Sequence, residues 1–165
     1  MRLRSSTTLA PGFGGSDVGG GRAGGGSAAA GVQAGFNTAG DVLIADQFNN
    51  RVVEVNADHN IVWQFGNGSN VAGPHSVVGV NDAERVGSLT LIAGTGTPAG
   101  ADPSCPAPPG CPDNRVFYVN QAGDIVWQYG QAGVTGDGPN ELNTPVQATA
   151  LPGGDVLITP RATSG

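Results

Sequence analysis

The chain has 165 residues and is acidic, with thirteen Asp and Glu against seven Arg and no Lys, which gives a formal net charge of −6. It contains no basic run of the kind that displaces counterions from phosphates, so we do not expect it to bind nucleic acid. No apolar stretch approaches the ~20 residues of a membrane-spanning helix, so no membrane span is predicted. The 29 Gly and 12 Pro separate short apolar runs, a pattern typical of an all-β protein.

The first 31 residues are rich in Gly, Ser and Ala and lack the apolar stretch of ~7–15 residues that a signal peptide requires. A segment of this composition buries too little apolar surface to offset the entropy of ordering it. We therefore interpret residues 1–31 as a flexible tail and residues 32–165 as the folded part of the chain.

An internal repeat organises the folded part. Residues 50–66 align without gaps on residues 114–130, with ten of seventeen positions identical. Residues 32–45 match residues 146–159 in the same way, and a weaker copy of the apolar run at 42–46 occurs at 90–94. Without an insertion of sixteen residues in the middle copy, the repeat has ~48 residues, which is near the length of a four-stranded propeller blade.

The periodicity places four short strands in each complete repeat. The strands of the first repeat are predicted at about 32–37, 41–46, 51–56 and 61–65. Those of the second are predicted at about 79–86, 88–93, 115–120 and 125–129, and the third supplies 145–151 and 155–159. The prediction is an all-β fold of four-stranded antiparallel meanders, with about two and a half β-propeller blades at 32–66, 79–130 and 145–160, in an incomplete ring.

The loops of the predicted meanders differ greatly in length between the two ends. The turns after the first and third strands are tight, whereas the loops 66–79, 95–113 and 130–144 are long and leave the strands at one end. We call this end the long-loop rim and the other end the short-turn rim. Because function in such folds lies on loops held by a rigid scaffold, we expect ligand contacts on the long-loop rim. The insertion 95–113 is expected to be a surface loop that the sheet does not need.

Two stretches carry a family resemblance. Residues 40–66, GDVLIADQFNNRVVEVNADHNIVWQFG, resemble the NHL-type propeller repeat in the apolar-Ala-Asp group, Asn-x-Arg and the closing Gly. This run and residues 73–94, GPHSVVGVNDAERVGSLTLIAG, are also similar to the propeller of the arylsulfotransferase family. The resemblance covers about 32–160 and implies the propeller fold. Those sulfotransferases carry catalytic His and Arg in the central channel, whereas this chain has Asn81 where the similar stretch has His, and an amide cannot shuttle a proton near neutral pH.

Most of the conspicuous side chains are expected to be structural. In NHL-like blades the residues that match Asp46 and Arg51 brace a corner between strands, and Asn50 and Arg51 recur as Asn114 and Arg115. Trp63 and Trp127 occupy equivalent positions and are expected to fill the contacts between blades, with a ligand-stacking site as the alternative.

Four residues are candidates for ligand binding: His75, Asp82, Glu84 and Arg85. No catalytic residue is assigned. The scattered His and Cys residues do not have the spacing of zinc ligands, so no metal site and no cofactor are predicted.

Cys105 and Cys111 are the only cysteines, and both lie in the Pro-rich run CPAPPGC of the insertion. Such a pair favours a local disulfide, and the alternative is two free thiols in a reducing compartment. A disulfide would stabilise mainly the loop, by about 2 kcal/mol in the chain-entropy model. It would indicate an oxidising compartment, so we expect the protein to be extracellular or periplasmic.

Together these features predict a non-enzymatic propeller module that binds a protein, small-molecule or carbohydrate ligand on the long-loop rim. An open stack of blades leaves strand edges bare, so we also expect self-association or a longer chain. The alternative is a fragment of a propeller enzyme, arylsulfotransferase-like or lyase-like, which would require a His and Arg set lining a channel.

Overall fold

The computed structural model describes residues 36–161, which form nine β-strands and a 3-10 turn at Gln47–Asn49. The strands are Val42–Asp46 (β1), Arg51–Val55 (β2), Ile61–Phe65 (β3), Val80–Val86 (β4), Leu89–Thr97 (β5), Cys111–Val119 (β6), Ile125–Tyr129 (β7), Pro145–Ala150 (β8) and Val156–Pro160 (β9). The predicted tail 1–31 and most of the predicted strand 32–37 lie outside the described residues.

The strands form three antiparallel sheets in chain order. The first sheet contains β1, β2 and β3, the second contains β4 to β7, and the third contains β8 and β9. Within each sheet every strand pairs with its neighbour in sequence, so the first two sheets are meanders and the third is a hairpin. The predicted all-β class and the antiparallel pairing are confirmed.

The middle of the second sheet extends further than the sequence suggested. After a bulge, β5 continues to Thr97 and pairs there with Cys111 of β6. Thr95, Thr97 and Asp113 are buried, which fits the preference of β-branched Thr for strands. The segment expected to be a surface loop at 95–113 therefore includes strand residues, and only 98–110 lies outside the sheet. The expectation that 95–113 is a surface loop throughout is wrong, and its dispensability to the fold stays a prediction.

The three sheets stack face to face. Alternate residues of β5 and β6 point to opposite faces, as the two-residue period of a strand requires. One face of the second sheet packs on the first sheet through a cluster that comprises Val52, Trp63, Phe65, Val77, Val80, Ile92, Phe117 and Val119. The other face packs on the third sheet through a cluster that comprises Leu91, Ala93, Val116, Ala148 and Val156.

Candidate functional site

Two asparagines join consecutive sheets at the long-loop rim. Asn50 lies just before β2 and Asn114 lies within β6, with left-handed φ values of 52° and 58°, a conformation that Asn tolerates better than most residues. The Oδ1 atom of Asn50 accepts a hydrogen bond of 2.8 Å from the N–H of Gly79, immediately before β4. That of Asn114 accepts one of 2.9 Å from the N–H of Thr144, immediately before β8. We call these two buried residues the Asn latches, because each fixes the entry of the next sheet.

The same amides also hold the long loops. The Nδ2 group of Asn50 donates to Asn70, and Asn70 donates to the Ser104 hydroxyl, at 2.6 and 2.5 Å. The Nδ2 group of Asn114 donates to the Thr135 hydroxyl at 2.7 Å. All three long loops are therefore hydrogen-bonded, directly or through one residue, to an Asn latch.

Arg51 braces the corner that the sequence suggested. Its Nε donates to Asp46 Oδ2 at 2.8 Å, and both side chains are partly exposed. This hydrogen bond from Arg51 lowers the pKa of Asp46, while burial acts in the opposite direction and a hydrogen bond from Asn49 adds to the lowering. The pair joins the end of β1 to the start of β2.

In the second sheet the equivalent brace takes its carboxylate from a different strand. Gly94 stands where β1 has Asp46, and Asp113 of β6 fills the space: a Cβ atom at Gly94 would lie 2.6 Å from the Asp113 Cγ. Arg115 Nε lies 2.6 Å from Asp113 Oδ1, with side-chain exposures of 2% and 0%. Burial raises the pKa of Asp113, and Arg115 and the N–H of Val78 oppose that rise.

His75 lies on a turn that Arg115 holds. The guanidinium of Arg115 donates to the carbonyl oxygens of Gly73 and Ser76, at 3.0 and 2.9 Å, on either side of the exposed His75. The turn and β7 border a shallow depression of about 430 Å³. His75 is therefore accessible on the loop 66–79. Among the residues that line the depression, Asp124 is the one other side chain that could bind a metal ion.

Asp82 and Glu84 contact the third sheet. Their carboxylates accept hydrogen bonds from the backbone N–H groups of Ala148 and Ala150, at 2.9 and 3.1 Å. These N–H groups lie on the edge of β8 that does not pair with β9. The two candidate ligand-binding carboxylates thus cover an otherwise open strand edge.

Arg85 points instead to the first sheet. Its Nη2 lies 2.6 Å from Glu54 Oε2, and side-chain exposures of 12% and 3% make this a buried ion pair. The guanidinium stacks over the rings of Phe36 and Trp63, with 4.0 and 4.8 Å to the ring centroids. Burial lowers the pKa of Arg85, and Glu54 opposes that effect. The structure therefore brings Asp82, Glu84 and Arg85 onto one strand but engages them with two different sheets.

The two tryptophans differ in environment. Trp63 is 2% exposed, and its indole N–H donates to the carbonyl of Gln121, in the turn between β6 and β7, at 3.1 Å. Trp127 is partly exposed and stacks near Tyr118, with ring centroids 5.6 Å apart. Within residues 36–161 its indole N–H has no hydrogen-bond partner.

Cys105 and Cys111 form a disulfide, as predicted. Cys105 is buried, and its carbonyl accepts a hydrogen bond of 2.9 Å from the N–H of Gly100. The bridge closes the Pro-rich loop on itself. A disulfide of this kind suggests an oxidising environment.

A cleft of about 280 Å³ opens on the long-loop rim between the second and third sheets. Pro98, Ala99 and Pro109 of the disulfide loop form one wall, and Asn143 and Thr144 lie opposite. Arg161 is the one charged residue among those that line it. The remaining lining residues are Thr95, Gly96, Thr97, Pro112, Asn114 and Thr135. The lengths of the loops led us to expect ligand contacts on this rim. They did not point to Arg161, because Arg161 reaches the cleft only through the packing of the third sheet on the second.

Asn81, which replaces the His of the similar sulfotransferase stretch, belongs to a chain of hydrogen bonds at the same rim. Its amide accepts from Gln47 Nε2 at 2.8 Å and donates to the Thr95 hydroxyl at 2.6 Å. Thr95 in turn donates to the carbonyl of Pro145. Both polar groups of Asn81 are therefore used in linking the three sheets.

Within residues 36–161, no group of three or more His, Cys, Asp or Glu side chains is arranged to hold a metal ion. In the same part of the chain, no helix has the length and apolar character needed to cross a membrane. Comparison with protein-family models gives no match, and comparison with curated proteins gives none.

Proposed function

We propose that the chain is a non-enzymatic binding module of β-propeller type that acts outside the cytoplasm. The observation that carries the proposal is the cleft of about 280 Å³ on the long-loop rim. Three consecutive antiparallel sheets stacked face to face, with an Asn latch at each of the two junctions, support the propeller interpretation. They are also consistent with the resemblance to NHL-type repeats.

The walls of the cleft are held in place before any ligand arrives. The disulfide and several prolines restrict one wall, and the latch at Asn114 fixes Thr144 on the other. A binding surface that is already ordered loses less conformational entropy on contact. Such a surface is suited to recognition by shape and a few polar contacts.

The lining indicates the chemistry of the ligand. Most of the exposed lining is apolar, Thr and Asn contribute its neutral polar groups, and Arg161 supplies a positive charge with no carboxylate among the lining residues. A guanidinium favours carboxylate and phosphate partners. The volume of about 280 Å³ lies just below the ~300–1,000 Å³ of most ligand pockets, so the cleft suits a small ligand. An acidic sugar, which offers a carboxylate to Arg161 and apolar C–H faces to the rest of the lining, suits this cleft.

The compartment is proposed from the disulfide. Structural disulfides persist in oxidising compartments, so the bridge between Cys105 and Cys111 supports an extracellular or periplasmic setting. Alkylation before and after reduction tests this: protein isolated from its source should take up two alkyl groups only after reduction. Labelling of both thiols in the unreduced protein would contradict the proposed compartment and leave the cleft unaffected.

Ligand-observed NMR with a panel of acidic and neutral sugars tests the binding proposal. Saturation transfer to an acidic sugar is expected in the wild type and should be lost in Arg161→Ala. Ala99→Trp should also abolish it by filling the cleft. Asp58→Ala, an exposed turn residue on the short-turn rim, is the matched control and should bind as the wild type does. Equal binding by all four proteins, with thermal melts that show each is folded, would exclude the cleft as the site.

A further inference from the structure

The loop 66–79 contains the one Asn-Gly pair of the sequence, Asn67 and Gly68. Both residues are exposed on the long-loop rim. Gly68 has a left-handed φ of 78°, and a Cβ atom built there would have a single neighbour within 4 Å, the carbonyl oxygen of Asn49 at 3.8 Å. The main chain at this pair therefore has open space around it, and glycine gives it the freedom to use that space.

The side chain of Asn67 is folded back along its own main chain. Its Oδ1 atom accepts a hydrogen bond of 3.0 Å from the backbone N–H of Ser69, which is the arrangement of an Asx turn. This contact keeps the side-chain carbonyl beside the peptide bond to Gly68 and polarises it, so that its carbon atom Cγ is more open to nucleophilic attack. Among residues 36–161, neither the Asn67 Nδ2 group nor the Gly68 N–H makes a hydrogen bond. The leaving group and the nucleophile of an intramolecular reaction are therefore both available.

The ends of this segment are anchored, but the Asn-Gly pair between them is not. A Cβ atom at Gly66 would lie 2.4 Å from the carbonyl oxygen of Asn50, so the main chain is held closely there. Asn70 accepts a hydrogen bond of 2.6 Å from the Asn50 amide. The hydrogen bonds of residues 67–69 all lie within residues 67–71. The pair can therefore change its main-chain angles without breaking a hydrogen bond to another part of the fold.

We propose that Asn67 modifies itself spontaneously in the folded protein, passing through a cyclic succinimide to isoaspartate and aspartate. The Gly68 nitrogen loses its proton and attacks Asn67 Cγ, so that a new N–C bond forms, the Cγ–Nδ2 bond breaks and the side-chain nitrogen leaves as ammonia. Water then opens the ring at either of its two carbonyl carbons. Opening on one side gives aspartate, and opening on the other gives isoaspartate, whose main chain runs through Cβ and Cγ. The reaction consumes water, releases ammonia and needs no enzyme, oxidant or reductant.

The modification alters a segment that connects two parts of the rim. Both products add a negative charge, and isoaspartate also lengthens the main chain by one carbon atom, shortly before Asn70. Asn70 joins Asn50, an Asn latch, to Ser104 of the disulfide loop through hydrogen bonds of 2.6 and 2.5 Å. The inference goes beyond the proposed function, since neither Asn67 nor Gly68 lines the cleft.

Peptide mapping by mass spectrometry tests the proposal on the folded full chain, incubated at neutral pH in water enriched in heavy oxygen. Ring opening incorporates oxygen from that water, so conversion during the incubation is distinguished from conversion during a digestion in ordinary water. Cleavage after Arg51 and Arg85 gives one fragment that carries both Asn67 and Asn60, an exposed asparagine followed by Ile61. Asn67 should convert at least about tenfold faster than Asn60, because the side chain of Ile61 hinders the attacking nitrogen. Both isoaspartate and aspartate should form at Asn67, and the rate should rise with pH as the attacking nitrogen loses its proton more readily.

Two variants and one reference state check the assignment. Asn67→Gln should abolish the conversion at this position, because its longer side chain would have to close a larger ring. Asn60→Gln is the matched control and should leave the rate at Asn67 unchanged, with thermal melts showing that both variants fold. The wild-type chain in concentrated urea gives the rate without the fold, and the rate in the folded protein should lie within about tenfold of it.

Three results would overturn the proposal. The first is an equal rate at Asn67 and Asn60 in the folded chain. The second is conversion of Asn67 in urea but not in the folded protein, because the fold would then hold the pair away from ring closure. The third is aspartate as the sole product, since direct hydrolysis of the side-chain amide gives no isoaspartate.

Discussion

The buried ion pair between Glu54 and Arg85 can be tested against an internal comparison. At the contact between the second and third sheets, the positions equivalent to Glu54 and Arg85 hold Tyr118 and Ala150, as the strand registers show. The same inter-sheet position is therefore filled once by an ion pair and once by an aromatic and a small residue. The double variant Glu54→Tyr with Arg85→Ala reproduces the second solution at the first contact.

The single and double variants should differ widely in stability. Arg85→Ala leaves the Glu54 carboxylate, 3% exposed, without its partner at 2.6 Å. Breaking a buried pair in this way costs about 3–5 kcal/mol, and losing the stacking on Phe36 and Trp63 adds about 1 kcal/mol. Since small domains have ~5–15 kcal/mol in total, this variant should be near unfolding. The double variant removes the charge and fills the space, so it should lose less than about 2 kcal/mol, including about 1 kcal/mol for the hydrogen bond from the Asn37 N–H to Glu54.

Urea denaturation followed by far-ultraviolet circular dichroism measures both values. Glu54→Tyr alone completes the cycle and should be strongly destabilised, because Arg85 stays buried without a counter-charge. A loss below about 1 kcal/mol in Arg85→Ala would show that the pair is effectively solvated, which is the usual situation for surface pairs. A double variant less stable than Arg85→Ala would refute the equivalence of the two inter-sheet contacts.

Three other changes test the long-loop rim, each by urea denaturation. Asn114→Ala removes the acceptor of the Thr144 N–H and places a less tolerant residue at positive φ, so it should cost about 2–4 kcal/mol; Asn114→Gly should recover part of this, and a neutral result would contradict the latch. Gly94→Ala places a Cβ atom 2.6 Å from the Asp113 Cγ and should cost about 1–3 kcal/mol; an unchanged midpoint would mean that the carboxylate does not fill this space. Because the pKa of Asp46 is lowered, its contribution to stability is complete above the unfolded value of about 4 and is lost as the pH falls through the lower folded value. Asp46→Asn should therefore make stability less dependent on pH in that acid range, and an unchanged acid profile would argue against the brace.

The strands could be predicted from the sequence because two copies of the repeat align with each other without gaps. The Asn-Arg-Val pattern and the Ile-Val-Trp-Gln pattern recur with the same period-two alternation, and each copy supports the placement of the other. The strand β7 was predicted with its observed bounds for this reason. The ends of β5 and β6 were harder to predict, because Gly94, Gly96 and Pro112 have low strand preference and extend the sheet only through a bulge.

The side-chain partners across sheets could not be read from one sequence. In the first sheet the acid of the brace, Asp46, lies five residues before its arginine, whereas Asp113 lies only two residues before Arg115. The sequence also does not show that the Asp113 carboxyl group fills the space left by the missing side chain of Gly94. Asp82 and Glu84 looked like accessible carboxylates because the groups that donate to them are backbone N–H groups 66 residues away in sequence. Such contacts depend on the angle and distance between sheets, which local patterns do not specify.

The Asn latches have a consequence for how the stack comes apart. The backbone N–H groups of Gly79 and Thr144 each donate a hydrogen bond to an asparagine side chain of the preceding sheet. Both residues lie just outside the strands, so these N–H groups are not bonded within a sheet. Their protons can reach solvent when neighbouring sheets separate, even if both sheets keep their internal hydrogen bonds. The rate of hydrogen exchange at these two amides therefore measures the interaction free energy between neighbouring sheets. In a linear array of repeats, that energy determines whether the repeats unfold together or one after another from the ends.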